Sequence, residues 1–270
     1  MKTSDHDEVR GKVRTHYAKI AEGVAGTGCA PACCGSSPER SAALGYSAGE
    51  LADVPEGANL GLGCGNPQAI AGLREGETVL DLGSGGGIDC FLAARQVGPR
   101  GRVIGVDMTA EMVAKARTYA QRVGAANVEF RLGEIEHLPV ADGTVNVILS
   151  NCVINLSPDK AQVFREAFRV LEPGGRLAIS DVVLTGELPE ALRDQPDALA
   201  GCIAGAASVE EIGAWLVDAG FADVRVTVRA ESRSFIRDWI PDSGAEECIA
   251  SATLEATKPA AACCAPTCCG

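Results

Sequence analysis

Positive charge and aromatic surface are both scarce in this chain. Lys and Arg number 24 against 36 Asp and Glu, a formal net charge of -12, and no long basic run interrupts the acidic balance. A nucleic-acid backbone is bound by clustered cations that displace its counterions, so this composition argues against that partner. It argues equally against an anionic membrane surface. Phe, Trp and Tyr make up 4% of the residues, which leaves little stacking surface for a quinone-like ring. The three histidines, His6, His16 and His137, are scattered and are not assigned as ligands or bases. No segment approaches the roughly 20 uncharged residues of a membrane helix. The first residues, MKTSDHDEVRGKVRTHYAKI, lack a signal-peptide apolar region, so the expected location is the cytoplasm. No internal repeat and no Ser-His-Asp grouping is recognisable.

Apolar residues are 46% of the 270. That is enough for one large core, or for one domain with an elaboration. The chain holds 12 cysteines. In a reducing compartment so many thiols suggest soft-element binding or redox chemistry rather than a disulfide framework.

Residues 5–25 read as a polar helix with Val9, Val13, Tyr17 and Ile20 on one side. The following GTGCAPACCGSSP is expected to be loop. Residues 39–72 mix helical turns with the Gly-rich VPEGANLGLGCGNP, and both stretches are expected over the mouth of the next domain. From residue 77 strands and helices alternate: strands at 78–82, 102–107, 127–133, 145–151 and 176–183, with helices at 86–97, 110–123 and 158–171 between them. Thr109 reads as an N-cap, and LEPGG as the turn that ends the third helix. This rhythm predicts an open, mainly parallel sheet covered on both faces, with ligands outside the carboxyl ends of its strands. Residues 185–207 suggest one or two short helices. Ser208 and Glu211 form a capping box that opens a helix to about Ala219. Strands follow at 222–229 and 247–256, and KPAAACCAPTCCG reads as a flexible tail.

The first strand runs into Asp81-Leu82-Gly83-Ser84-Gly85-Gly86-Gly87. Glycine permits a sharp turn and a close ligand approach. The second strand ends at Asp107, followed by Met108, where a carboxylate can accept both ribose hydroxyls. The third leads to Gly133-Glu134-Ile135-Glu136, whose side chains are placed to flank an adenine. A nicotinamide-dinucleotide site prefers G-x-G-x-x-G. Here an acid comes first and glycines alternate, which favours S-adenosylmethionine (AdoMet). Asn151, at the end of the fourth strand, is expected to touch the methionine part of AdoMet or to orient the adjacent thiol.

The alternating loop resembles that of class I AdoMet-dependent methyltransferases. The longer segments GLGCGNP, DLGSGGGIDCFLAA, VIGVDMTAEM, RLGEIEHLPV, SNCVINLSPDK and GCIAGA resemble the arsenite methyltransferases, from about residue 29 to about residue 256. The resemblance implies a Rossmann-like α/β fold with a seven-stranded, mostly parallel sheet and a smaller C-terminal α+β elaboration. It implies trivalent arsenic as substrate and an external thiol reductant, thioredoxin or glutathione. The expected division is an N-terminal lid segment (1–72), an AdoMet-binding domain (73–184), an arsenic-binding elaboration (185–257) and a Cys-rich tail (258–270).

Cys64, Cys152 and Cys202 are single and far apart in sequence, so any shared site is assembled by the fold. Structural zinc more often uses close Cys-x-x-Cys pairs. Three thiolates suit trivalent arsenic, which keeps a lone pair after forming three bonds. By resemblance, Cys152, Cys202 and Cys64 hold arsenic. Cys34 supplies or exchanges a thiolate, and can form a disulfide with Cys64 after methylation; whether Cys33 or Cys34 is the working thiol stays open. Cys90 and Cys248 read as structural and Cys29 as a loop thiol. Cys263, Cys264, Cys268 and Cys269 suit arsenite capture or passive chelation. Three other functions remain open at this point: a carbon- or oxygen-methyltransferase of the quinone or sterol type, a non-catalytic sequestering protein, and a zinc-stabilised methyltransferase.

Overall fold

A computed structural model of the chain describes residues 3–23, 38–189, 192, 202–239 and 243–260. Cys29, Cys33, Cys34 and the four tail cysteines lie outside the described residues, as do 190–191 and 193–201. Among the described residues four helices precede the sheet: α1 (Thr3–Glu22), α2 (Pro38–Ala43), α3 (Ala48–Asp53) and α4 (Gln68–Ala71). The alternating part follows: β1 (Thr78–Leu82), α5 (Ile88–Val97), β2 (Arg102–Asp107), α6 (Ala110–Val123), β3 (Val128–Leu132), β4 (Val145–Asn151), α7 (Lys160–Val170) and β5 (Leu171–Leu184). The C-terminal part adds β6 (Ala207–Ser208), α8 (Val209–Asp218), β7 (Ala222–Arg229), α9 (Arg233–Ile236), α10 (Ala245–Cys248) and β8 (Ile249–Thr257).

The strands form one sheet in the order β3-β2-β1-β4-β5-β8-β7, with β6 beside β5. β3 through β5 on that path are parallel, and β8 runs antiparallel to both β5 and β7. Strand order reverses direction at β1, between β2 and β4, so a crevice must open beyond the carboxyl ends of β1 and β4. Both faces of the sheet are buried, as parallel strands require. Leu80, Leu82, Ile148 and Ile179 pack with Phe164 of α7 and Leu216 of α8. Val79, Val103, Val147 and Leu149 pack on the other face with Phe91 of α5 and Val113 of α6. A third cluster joins Cys64 and Val182 to Ile203, Ile236, Trp239 and Ile249.

The Ser208–Glu211 capping box is formed in both directions. Thr109 sits at the N-cap of α6, but its side chain makes no capping bond; Asp107 Oδ1 accepts the Thr109 amide instead, at 2.8 Å. The segment LEPGG differs from expectation. It is the irregular start of β5: Leu171 pairs with Val145 and Arg176 with Val147, and the register shifts between them. Gly174, at φ 86°, supplies the positive φ that this bulge needs.

Phe164 is fully buried between α7 and the sheet. Phe164→Ala is expected to lower unfolding free energy by about 3–5 kcal/mol, read as a shift of the denaturant midpoint at unchanged slope.

Candidate functional site: a glycine cradle beside assembled thiols

Past Leu82 the chain turns sharply. The amides of Gly83 and Ser84 both donate to the Val106 carbonyl, at 2.8 and 3.0 Å, which pins the loop to β2. A Cβ on Gly83 would stand 2.4 Å from Val153 Cγ2, and one on Gly86 would stand 2.6 Å from the Ala58 carbonyl oxygen. Gly85 is different. Its φ is 50°, and a Cβ there would meet nothing within 4 Å. Its amide donates to Asp107 Oδ2 at 2.9 Å. Each Asp107 oxygen thus accepts one backbone N–H and keeps a lone pair for a hydroxyl group. Ser84 Oγ is buried and makes no hydrogen bond to any described residue. An open glycine cradle, a bridging carboxylate and an orphaned hydroxyl together fit a nucleoside with a ribose diol, as in AdoMet.

The cleft encloses about 1320 Å³, its open mouth included. α1 covers one side with Arg10, Val13, Tyr17 and Ile20, and Leu60 and Leu62 border another. Two buried acids, Asp81 and Asp89, also face it. Burial pushes Asp81 well above the ordinary carboxylate range, and the charge of Asp89 adds to the effect. Burial raises Asp89 to about 6, against hydrogen bonds from Tyr46 and Gln68 that favour its ionised form. The Tyr46 hydroxyl reaches the Asp89 oxygens at 2.9 and 3.1 Å.

Cys152 and Cys202 line this cleft, whereas Cys64 is buried behind it and does not border it. Cys152 follows β4 directly and has φ 59°, and Cys202 has φ 64°. Both are in the left-handed region, which costs an ordinary side chain roughly 1–2 kcal/mol and clusters at functional sites. Cys202 Sγ donates to the Cys152 carbonyl at 2.8 Å. Cys64 is held from both sides: Asn151 Oδ1 accepts its amide at 3.1 Å, and Ser251 Oγ donates to its carbonyl at 2.7 Å. The flanking glycines make this possible. A Cβ on Gly63 would stand 2.8 Å from Asn151 Nδ2, and one on Gly65 would stand 2.9 Å from Ser180. Cys64 Sγ, Cys152 Sγ and a carboxylate oxygen of Asp181 all lie within 4.8 Å of one another. Burial pushes the Cys64 thiol well above its usual range, reinforced by Cys152, then by the charges of Asp181 and Cys202.

Residues 73–220 match a family described as a methyltransferase domain. An arsenite methyltransferase of Halobacterium salinarum is 53% identical over 269 residues, covering 95% of this chain and 68% of that one. Another, from Aquipseudomonas alcaligenes, is 47% identical over 171 residues, covering 61% of this chain and 49% of that one. The crystal structure of an arsenic(III) S-adenosylmethionine methyltransferase from Chlamydomonas reinhardtii superposes with a TM-score of 0.61 at 35% identity, covering 82% of this chain and 74% of that one. The chain belongs to the arsenite methyltransferase family. Its sheet is accordingly that of a class I AdoMet-dependent methyltransferase.

In this member of the family, Asp81, Gly83, Ser84, Gly85, Asp107, Met108, Ile135, Glu136, Asn151, Cys152 and Cys202 all border one cleft. Glu134 does not. Its side chain is 35% exposed, beside Arg10 at 3.4 Å and Arg14 at 3.9 Å. The 134–137 turn, closed by a bridge between Glu134 and His137, aims alternate side chains apart. Glu136 is the inward acid: it accepts from Ser157 Oγ at 2.7 Å and from Arg10 Nε at 3.4 Å. Asn151 contacts the Cys64 loop rather than projecting alone into the cleft. Its Nδ2 donates to the Gly65 carbonyl at 2.8 Å and to Tyr46 Oη at 3.0 Å.

Several residues of the site carry weak sequence signals. Asp181 stands as an acid inside the apolar strand ISDVV, a pattern that flags a buried charge. Arg10 is a buried cation on an amphipathic helix and has no comparable signal. Tyr46 and Gln68 emerge only from contacts distant in sequence.

The raised acids predict a pH dependence. A cationic ligand favours ionised Asp89, which burial raises to about 6. AdoMet binding therefore releases protons, and its Kd falls as pH rises through 6. Calorimetry in buffers of different ionisation enthalpy at pH 6 should show proton release. A Kd independent of pH from about 5.5 to 7.5 would refute this linkage.

Proposed function

We propose that this chain transfers methyl groups from AdoMet to trivalent arsenic held on its own thiols. The carrying observation is the convergence of Cys64 and Cys152 within 4.8 Å, where Cys152 borders the same cleft as the open cradle at Gly85. AdoMet, when bound, supplies a methyl group made electrophilic by its sulfonium charge.

The protein's part is positioning. Arsenic bonded to three sulfurs is pyramidal and keeps its lone pair, which is the nucleophile. No proton leaves arsenic as the methyl arrives, so no general base is needed there. Alignment of lone pair and methyl carbon is the main requirement. Cys64 and Cys152 provide two ligands and Cys202 the third. The left-handed backbone at Cys152 and Cys202 fixes where those two thiols can stand. Trp239, Ile203 and Val182 pack around Cys64, and Val13 and Leu156 around Cys202. This apolar lining limits water at the sulfurs. Asp81 and Asp89 favour a cationic co-substrate.

Methyl transfer to the lone pair raises arsenic formally from the trivalent to the pentavalent state. Two protein thiols return the two electrons by forming a disulfide. Cys34, outside the described residues, and Cys64 are the proposed pair. An external dithiol of the thioredoxin type, or glutathione, then reduces that bond by thiol exchange.

In single-turnover methylation with arsenite, AdoMet and a dithiol, Cys152→Ser and Cys202→Ser are each expected to lower the rate by about 100-fold or more, roughly 2.7 kcal/mol of barrier. Cys248→Ala is expected to retain the rate, because that thiol donates to the Gly244 carbonyl just ahead of α10, outside the cleft. Full activity in both serine variants removes the proposed site.

A further inference from the structure

Asp181 does something that arsenic chemistry does not require. Three sulfur ligands complete a trivalent arsenic centre, yet a buried carboxylate oxygen lies within 4.8 Å of both Cys64 and Cys152 sulfurs. Asp181 is 2% exposed. Its Oδ1 accepts from Asn155 Nδ2 at 2.9 Å and from the Val182 amide at 2.8 Å. Among the described residues its Oδ2 accepts only from the Ile154 amide, at 3.0 Å. A carboxylate has about four lone-pair sites, so one remains, on Oδ2.

We propose that Cys64, Cys152, Cys202 and Asp181 Oδ2 form a four-donor site for a thiophilic divalent cation of the zinc type, which competes with arsenite. The proposal rests on the arsenite reading only in that both use the same thiols. A d10 dication has no lone pair and prefers four donors in a tetrahedron, with sulfur near 2.3 Å and carboxylate oxygen near 2.0–2.2 Å. Ligand atoms in such a tetrahedron stand roughly 3.5–3.8 Å apart. A trio already within 4.8 Å reaches that spacing by side-chain adjustments of about an ångström. Cys202, whose Sγ donates to the Cys152 carbonyl at 2.8 Å, lies outside that trio and supplies the fourth donor by turning its sulfur off that carbonyl. Binding displaces the thiol protons to solvent and neutralises a carboxylate buried at a cost. The bound cation has no electron pair to offer a methyl group, so the complex is a dead end for catalysis.

The test uses the full chain with Cys263→Ser, Cys264→Ser, Cys268→Ser and Cys269→Ser, so that tail thiols do not report. Co2+ is added first as a spectroscopic probe. Intense tetrahedral d–d bands with thiolate charge transfer, abolished by Cys152→Ser, are expected. Zn2+ affinity is then measured by competition with a chromophoric chelator, and arsenite affinity by fluorescence. Asp181→Asn is expected to weaken Zn2+ by about 10-fold or more while arsenite affinity changes less than about 2-fold. Zn2+ should inhibit methylation competitively with arsenite. Absence of the tetrahedral Co2+ spectrum overturns the proposal whether or not Asp181→Asn folds. Equal loss of Zn2+ and arsenite binding in Asp181→Asn overturns it too, and so does unchanged Zn2+ affinity. Failure of the parent to bind arsenite, with Zn2+ still bound, refutes the methylation reading and the competition, and leaves the four-donor cation site standing.

Discussion

The side-chain amide of Asn151 joins two parts of the molecule that sequence keeps far apart. Its oxygen accepts the Cys64 amide, and its nitrogen donates to the Gly65 carbonyl and to Tyr46. Its own backbone ends β4 and delivers Cys152 as the next residue. One planar group therefore sets the loop that bears the first thiol relative to the strand that bears the second. Glycine at positions 63 and 65 is a consequence, because any larger residue would collide with Asn151 or Ser180. The network continues through the Tyr46 hydroxyl to Asp89, on the wall of the cofactor cleft. Thiol spacing and cleft geometry thus rest on one continuous set of hydrogen bonds.

The site is under tension of two kinds. Asp81, Asp89 and Asp181 are buried acids, and each is pushed toward its neutral form. Cys152 and Cys202 hold backbone conformations that ordinary side chains avoid. Neither helps the fold. A cationic co-substrate relieves the first kind at Asp81 and Asp89. The second kind fixes in advance where the thiols of Cys152 and Cys202 stand. Such preorganisation lowers the ordering cost at the moment of binding.

Much of the architecture was legible because parallel strands buried on both faces write themselves as apolar runs. TVLDL, RVIGVD and VNVILSN match β1, β2 and β4 residue for residue. β5 began earlier than expected because LEPGG looks like a turn and is a bulge within the strand. The site was legible where chemistry leaves a distinctive residue, as at Cys152 and in the alternating glycines. It was obscured where function depends on direction. Glu134 and Glu136 are equivalent acids on paper, and only the tight turn decides that Glu136 points inward. Arg10 was hidden differently: Val9, Val13, Tyr17 and Ile20 mark the buried face of α1, and nothing in such a stripe tells that a guanidinium shares it. It is buried because Glu136 is.

Asp181 shows why a buried charge in a sheet is informative even without an assigned role. Strand β5 is central, with β4 on one side and β8 on the other. A carboxylate there loses its hydration, and three hydrogen bonds return only part of that energy. An apolar residue of similar size would stabilise the empty fold better. Asn would meet the structural duty only in part, because Asn155 Nδ2 and the Val182 and Ile154 amides all donate to the two Asp181 oxygens, and an Asn turns its NH2 toward one of those donors. What Asn cannot do is present negative charge to the space between two sulfurs. The distinction between Asp and Asn at position 181 is therefore one of charge as well as of accepting capacity. It matters most when something positive, a proton or a metal ion, occupies that space.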